Sequence, residues 1–355
     1  MTVRVGVIGT GWWATRAHLP ALARHADAEI AAIANRGEVN RRRAASHFGV
    51  ARAFASAEEM LAEVALDAAV IAVPHHEHAR LARLCLEHGL HVLLEKPMTI
   101  DPTEAFELVD VARRVERELI IGYPWHYNRQ LLDVRAALRS GRIGQIEAVT
   151  CLFASIVRAL YRGDPERYRE VLGYTLNAPR SDTYSDPGIA GGGQGQTQVT
   201  HAAALLQWLT ELEPLEVSAM TADHELAVDL VDAMAMRFAG GALGTLASTG
   251  SVVPGQEEIL EYRIFGTAGH VAIDVTAGTA SIHGIDGAIE HLPELPPGDR
   301  YPEAAPVQNL VEVAAGRAVN GSPAPLGAQT VALVEAMYRS ARTGGRATVM
   351  RPTGR

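Results

Sequence analysis

Lysine is almost missing from this chain. Of its 32 basic residues 31 are arginine, and the single lysine is Lys96. Arginine keeps its proton at any pH near neutrality, whereas a lysine amine gives one up once burial or a neighbouring cation weakens its hold. Arginine serves every other need for a cation, so Lys96 is either a relic of biased composition or a group kept to handle a proton. Cysteine is scarce too. Cys85 and Cys151 are the only two, far apart and in no CxxC pattern, which excludes a disulfide framework or a thiolate metal centre and leaves no metal site expected. No apolar run approaches the roughly 20 residues that cross a bilayer. The longest basic run is Arg41-Arg42-Arg43 in a chain of net charge −9, which argues against nucleic acid as a partner. The first strand-like run begins at Val3, leaving no room for a signal peptide, so a cytoplasmic protein is expected.

What is present is a regular alternation of strand and helix signals. The run Val3–Ile8 leads directly into Gly9-Thr10-Gly11-Trp12-Trp13-Ala14, a G-x-G-x-x-A turn between a strand and a helix. In such a turn the first glycine makes the bend and the second admits a pyrophosphate against the backbone. The small third residue lets helix and strand pack closely, with the helix N-terminus facing the phosphates. Strands are predicted at 29–34, 67–73, 91–94 and 119–121, with helices at 38–48, 77–88 and 102–117. These make a doubly wound parallel sheet of about 120 residues. An acidic residue often ends the second strand and bonds both ribose hydroxyls. Asn35-Arg36 stands there instead, which leans toward NADP, although Arg36 is equally suited to stack on adenine.

Strand 91–94 ends in Glu95-Lys96-Pro97. Ligands of open α/β sheets bind at the carboxyl ends of the strands, so Lys96 lies at the crevice. Pro97 holds Lys96 in extended conformations, and Glu95 is its nearest charged partner. Taken with Pro74, His78, Gly122-Tyr123, Ser140-Gly141-Arg142-Ile143-Gly144, Gly191-Gly192-Gly193 and His201, the chain resembles the Gfo/Idh/MocA oxidoreductases over essentially its whole length. The resemblance implies a Rossmann domain (1–122) followed by an α/β substrate domain (123–355) with a large, mostly antiparallel open sheet. It implies NAD(P), placed against Gly9 to Trp13, Asn35, Arg36, Pro74, His78, Glu95 and Lys96, and a polyol, sugar or cyclitol substrate. It also implies a lysine that bonds the reacting oxygen, and a cis Lys–Pro bond. Many members carry an Asp and a His four apart on one helix. His201 matches the His; Thr197 stands at the Asp position and cannot act as a base. Lys96 and His201 are the expected catalytic pair, with Thr197 binding substrate.

After residue 122 the pattern changes. Helices are predicted at 130–140 and 197–209, strands at 147–152, 215–220, 230–238, 243–249, 259–265, 270–275 and 279–284, and a helix at 327–342 that packs back on the body. Gly240-Gly241 suits a hairpin. Residues 158–190 lack regular signals and are rich in Tyr and Arg. Asp182 and Tyr184 there suit a polyol, and the segment equally suits a subunit contact. Tyr123, Trp125 and His126 offer either a stacking wall for a ring-shaped substrate or interdomain packing. The open sheet face is expected to make a homodimer or homotetramer. The functions consistent with these readings are alcohol/ketone oxidoreduction, a redox-assisted glycosidase or lyase with tightly held NAD, and a non-catalytic NAD(P)-sensing protein.

Overall fold

The computed structural model describes residues 2–174 and 176–352. They form two compact units: Met1–Tyr123 with Gly163–Thr183 and Glu303–Ala328, and Pro124–Arg162 with Tyr184–Pro302 and Gln329–Arg355.

The first unit is built on six strands, β1 (Val3–Ile8), β2 (Ala28–Ala34), β3 (Ala53–Phe54), β4 (Ala68–Ile71), β5 (His91–Leu94) and β6 (Leu119–Ile121). They lie in the order β3-β2-β1-β4-β5-β6, all parallel. Helices on both faces bury the central strands, which is why β4 reads as an unbroken apolar run. The order reverses between β1 and β4, and there the carboxyl ends of the strands open a crevice. The helix Pro102–Arg114 starts cleanly because Asp101 accepts from Thr103 N at 2.6 Å and Glu104 N at 3.3 Å, with proline at the first position. Strand β3 and the helix Ala57–Glu63 were not expected from the sequence, nor was the helix Ala305–Ala314. Val307, Leu310 and Val311 of that helix enter the core beside Val5, Leu22, Val70 and Leu93. Just after it, Ile121 N donates to Ser322 O at 2.9 Å, adding chain to the β6 edge. Residues 163–183 also belong to this unit, and Leu176 packs against the same core.

The second unit holds nine strands: β7 (Ile146–Ala154), β8 (Pro214–Ala222), β9 (Val231–Phe238), β10 (Leu243–Thr249), β11 (Ile259–Gly266), β12 (Gly269–Asp274), β13 (Thr279–Gly284), β14 (Ile289–His291) and β15 (Ala347–Thr348). Their order is β14-β13-β12-β11-β7-β10-β9-β8-β15, antiparallel throughout except where β10 meets β7. Burial alternates along β9 and β10, so one face turns inward. Met234, Met236 and Leu246 lie on that face, together with the polar pair Asp232 and Ser248. The helix Thr200–Thr210 packs on β7 and on the helix Arg129–Arg139. The opposite face exposes Leu152, Leu243, Ile259 and Phe265. The last long helix, Ala324–Thr343, packs its later turns on β8, where Ser340 Oγ accepts from Ala219 N at 2.9 Å.

Candidate active site

The glycine turn sits at the end of β1. Gly9 has φ +91°, and a Cβ there would fall 2.1 Å from the carbonyl oxygen of Ala72, so only glycine fits. Gly11 differs. A Cβ on it would meet nothing within 4 Å, so packing does not demand glycine; the bare backbone leaves a cradle for a ligand. That cradle fits a dinucleotide pyrophosphate. Two side chains brace the turn from either side. Asn35 Oδ1 accepts from Thr10 N at 3.2 Å, and Asn177 Nδ2 donates to Thr10 O at 2.6 Å. Asn35 also donates to Gly37 O at 2.9 Å, and Arg36 pairs with Glu77 at 3.0 Å. Trp12 packs edge-on against Trp13 and Tyr174, at 5.2 and 5.4 Å between ring centroids.

The helix leaving the turn starts at Trp12 and passes into a π segment, Ala14–His18, which brings His18 to Glu95 at the end of β5. Glu95 Oε1 receives two donors there, His18 Nε2 at 2.7 Å and Trp13 Nε1 at 2.8 Å. The other oxygen accepts from Lys96 N at 3.3 Å. Burial pushes the Glu95 carboxyl up. The donor bonds of His18 and Trp13 and the charges of His18 and Lys96 outweigh it and leave the group below the ordinary range. Gly122 completes the pocket: a Cβ on it would lie 2.8 Å from Glu95 Oε1. Burial brings the Lys96 amine down to about 8, against the raising effect of Glu95. The Lys96–Pro97 peptide is cis, as the resemblance implied. His78, fully buried, faces Pro97 O at 2.7 Å and Val73 O at 3.0 Å, tying the ends of β4 and β5 together. Burial holds its imidazole below the usual value, with Lys96 adding to the effect. Pro74 sits between these elements as the residue before a short 3-10 turn. Tyr123 is buried at the end of β6.

In the second unit Thr197 and His201 stand on one continuous helical run, a π segment Gly195–Val199 continued by Thr200–Thr210. Thr197 Oγ1 donates to Gly193 O at 2.9 Å and forms a very short bond with the Tyr161 hydroxyl. Since the Thr197 proton goes to Gly193 O, Tyr161 is the donor in that bond, and its hydroxyl also lies 3.1 Å from Gln194 Oε1. The Gln194 nitrogen donates to Ser248 Oγ at 2.7 Å and Ser155 Oγ at 3.1 Å. Position 197 is therefore part of a neutral hydroxyl and amide network. Burial keeps the Tyr161 phenol protonated. His201 meets Trp125 edge-on at 5.3 Å, and Trp125 also touches Phe153 and Tyr301, so Trp125 and His201 do come together. His126 instead stacks on Trp208 at 5.0 Å, and Arg135 lies over the same indole ring. Burial, with the Arg135 charge, takes the His126 imidazole down to about 3. Asp182 pairs with Arg180, with one bond of 2.9 Å. Tyr184 is half-buried, three residues before the short helix Pro187–Ala190.

The glycine run before Thr197 has a partner that sequence reasoning missed. The Asp229 carboxylate accepts from Gly193 N and Gly195 N, both at 2.7 Å, and from the Tyr338 hydroxyl at 2.8 Å. A Cβ on Gly193 would fall 2.0 Å from Asp229 O, and one on Gly195 2.4 Å from the Tyr338 oxygen. Asp232 is buried beside this clamp, and neither of its oxygens has a hydrogen-bond partner among the described residues. Burial first, and the Asp229 charge second, hold it protonated well above the carboxylate range. No local motif marks Asp229, Asp232 or Tyr338. The one signal was the glycine run itself, which required something close by.

Comparison with known proteins agrees with this geometry. The profile of the Gfo/Idh/MocA oxidoreductase family, NAD-binding Rossmann fold, matches residues 3–123, and that of the Gfo/Idh/MocA C-terminal domain matches 131–272. D-xylose 1-dehydrogenase (NADP+) 2 of Haloferax volcanii is 26% identical over 351 residues, covering 96% of this chain and 97% of the relative. Inositol 2-dehydrogenase 1 of Saccharopolyspora erythraea is 32% identical over 168 residues, 47% of this chain and 50% of that one. The WlbA dehydrogenase of Bordetella pertussis, solved with NADH and UDP-GlcNAcA, superposes with a TM-score of 0.77 at 26% identity, covering 99% of this chain and all of the other. With its glycine cradle, its Glu-Lys-Pro turn and both domain profiles in order, the chain belongs to the Gfo/Idh/MocA family of nicotinamide-dependent oxidoreductases.

Proposed function

We propose that the protein interconverts an alcohol and a ketone on a sugar, cyclitol or glycoside, with Lys96 exchanging the hydroxyl proton. The observation that carries this reading is the Lys96 amine at the carboxyl end of β5, brought to about 8 by burial and set against an ionised Glu95. A bound nicotinamide supplies the hydride acceptor or donor. The rest falls to the chain. Gly9, Gly11 and the start of the π segment seat the pyrophosphate. His201, Thr197 and Tyr184 recognise the remaining substrate hydroxyls, with Trp125 as an apolar wall. Thr197 offers hydroxyl lone pairs and no base, so proton transfer rests on Lys96 with His201. The names of the relatives, acting on xylose and inositol, support the substrate class.

Arg36 favours NADP in this reading, and to meet a 2′-phosphate its guanidinium has to leave Glu77. The apolar outer face of the nine-stranded sheet is where a homodimer or homotetramer forms. A second reading, redox-neutral glycoside cleavage with a cofactor that never leaves, draws on one observation. Asn177 and Tyr174 close over the glycine turn from residues 163–183.

An absorbance screen at nicotinamide wavelengths, with both cofactors against sugars, cyclitols and glycosides, tests substrate class and cofactor together. Lys96→Arg keeps the charge and is expected to lose most turnover; near-normal turnover in that variant overturns the role. Turnover without added cofactor selects the second reading.

A further inference from the structure

Glu95 is held in an unusual way for a carboxylate next to a lysine. Two side-chain donors, Trp13 Nε1 and His18 Nε2, come to it from the first helix and converge on one oxygen. His18 is fully buried, and its Nδ1 makes no hydrogen bond among the described residues. The ring meets the carboxylate through Nε2, which donates to Glu95 Oε1 at 2.7 Å. Gly122 leaves room for the carboxylate, since a Cβ there would lie 2.8 Å from Glu95 Oε1. Other charged or titratable groups near this cluster include Lys96, His78 at the start of the helix His78–Glu87 with His75 packed on it, and Arg16. The Arg16 guanidinium lies 6.0 Å from the Trp13 ring and is paired with Glu303 at 3.1 Å.

When Lys96 loses its proton, Glu95 is left as a buried anion beside a neutral amine. That state is costly unless other donors carry the charge. We infer that His18 and Trp13 are positioning residues for proton transfer at Lys96: they stabilise the Glu95 anion after the amine has given up its proton. The inference rests on Lys96 being the proton-exchanging group. It adds that the ease of exchange is set from the helix that also forms the dinucleotide turn. The two partners of Lys96 then act in opposite directions. Glu95 raises the proton affinity of the amine, and the donors on Glu95 lower it.

The scarcity of lysine makes this measurable without substrate or turnover. The full chain, labelled with 15Nζ,13Cε-lysine, gives one side-chain resonance, and its titration is that of Lys96. The native midpoint is expected at about 8. His18→Leu is expected to raise it by about one unit, a tenfold fall in the deprotonated fraction near neutrality, and Trp13→Phe to move it the same way. His18→Gln restores a donor near the Nε2 position and is expected to return the midpoint toward native. Glu95→Gln removes the anion and is expected to lower the midpoint. Adding His18→Leu to Glu95→Gln is then expected to change nothing further. A His18→Leu or Trp13→Phe midpoint equal to native overturns the inference, as does a His18→Leu shift that persists in the Glu95→Gln background. Failure of the proposed function shows separately, as turnover surviving Lys96→Arg.

Discussion

Gly122→Ala is the most searching substitution this site allows. The backbone at Gly122 is not in the left-handed region, so alanine meets no conformational penalty there. On backbone grounds it would stabilise, by about 0.4–1 kcal/mol, through a less disordered unfolded chain. The contact decides otherwise. The new Cβ would stand 2.8 Å from Glu95 Oε1 and 3.0 Å from both Cδ and Oε2. These atoms are not the loose end of a flexible side chain, because His18 and Trp13 pin them. If the carboxylate turns away, up to two buried N–H groups lose their acceptor, at about 1–3 kcal/mol each. With both lost, subtracting the backbone gain leaves a net loss of about 1–5.6 kcal/mol. Urea unfolding with an unchanged slope measures it. Glu95→Asp in the same chain draws the carboxyl back by one methylene and is expected to recover part of the loss. A Gly122→Ala protein within about 0.5 kcal/mol of native, the scatter of an ordinary surface change, would refute the reasoning.

Three further outcomes follow from the same geometry. Oxidation needs Lys96 as a base, so its chemical step should quicken as pH rises through about 8, while reduction slows through the same region; a flat single-turnover profile there contradicts the assignment. Asp232 keeps its proton in the folded chain and loses it in the unfolded one above about pH 4. Its contribution is therefore complete below that pH and is lost as pH rises toward its folded value, by up to about 1.4 kcal/mol per pH unit. Asp232→Asn should remove that slope, and parallel stability–pH curves for the two proteins would count against it. Thr197→Val deletes the bonds to Gly193 O and Tyr161 with little change of shape, so stability should fall by about 1 kcal/mol and KM should rise about tenfold with kcat less affected. An unchanged KM removes Thr197 from substrate binding.

The parallel sheet and its crevice were legible because their signals are local. A glycine turn opens directly after a strand, and apolar runs separate helical stretches by short turns. Lys96 was legible for the same reason, standing alone in composition and at the end of a buried strand. Residues 163–183 and 303–328 were not. Their place in the first unit rests on contacts such as Asn177 with Thr10 and Val311 with the β-sheet core, between residues far apart in the chain. The helix Ala305–Ala314 follows a proline-rich stretch that obscured it, and β14 is exposed along its whole length, so no alternation marked it. The Asp229 clamp was hidden because a single aspartate between two strands has no pattern. Its bonds to Gly193 N, Gly195 N and Tyr338 identify it. His126 has the composition of a binding residue, but its stacking on Trp208 comes from a helix some eighty residues away in sequence.

Both helical runs that carry proposed site residues contain a five-residue π segment near their start, Ala14–His18 and Gly195–Val199. Counted along the axis, a π turn is a single inserted residue, and each residue of a regular α-helix turns the chain by about 100°. Removing one residue from Ala14–His18 would let the α ladder close, and His18 would swing to another side of its helix, away from Glu95. The same edit before His201 would turn that imidazole away from Trp125. What these two places preserve is therefore a number of residues as much as their kinds. Exchanges at Arg16 or Gln198 leave the count intact, whereas a deletion of one position, however conservative its neighbours, re-aims everything downstream of it.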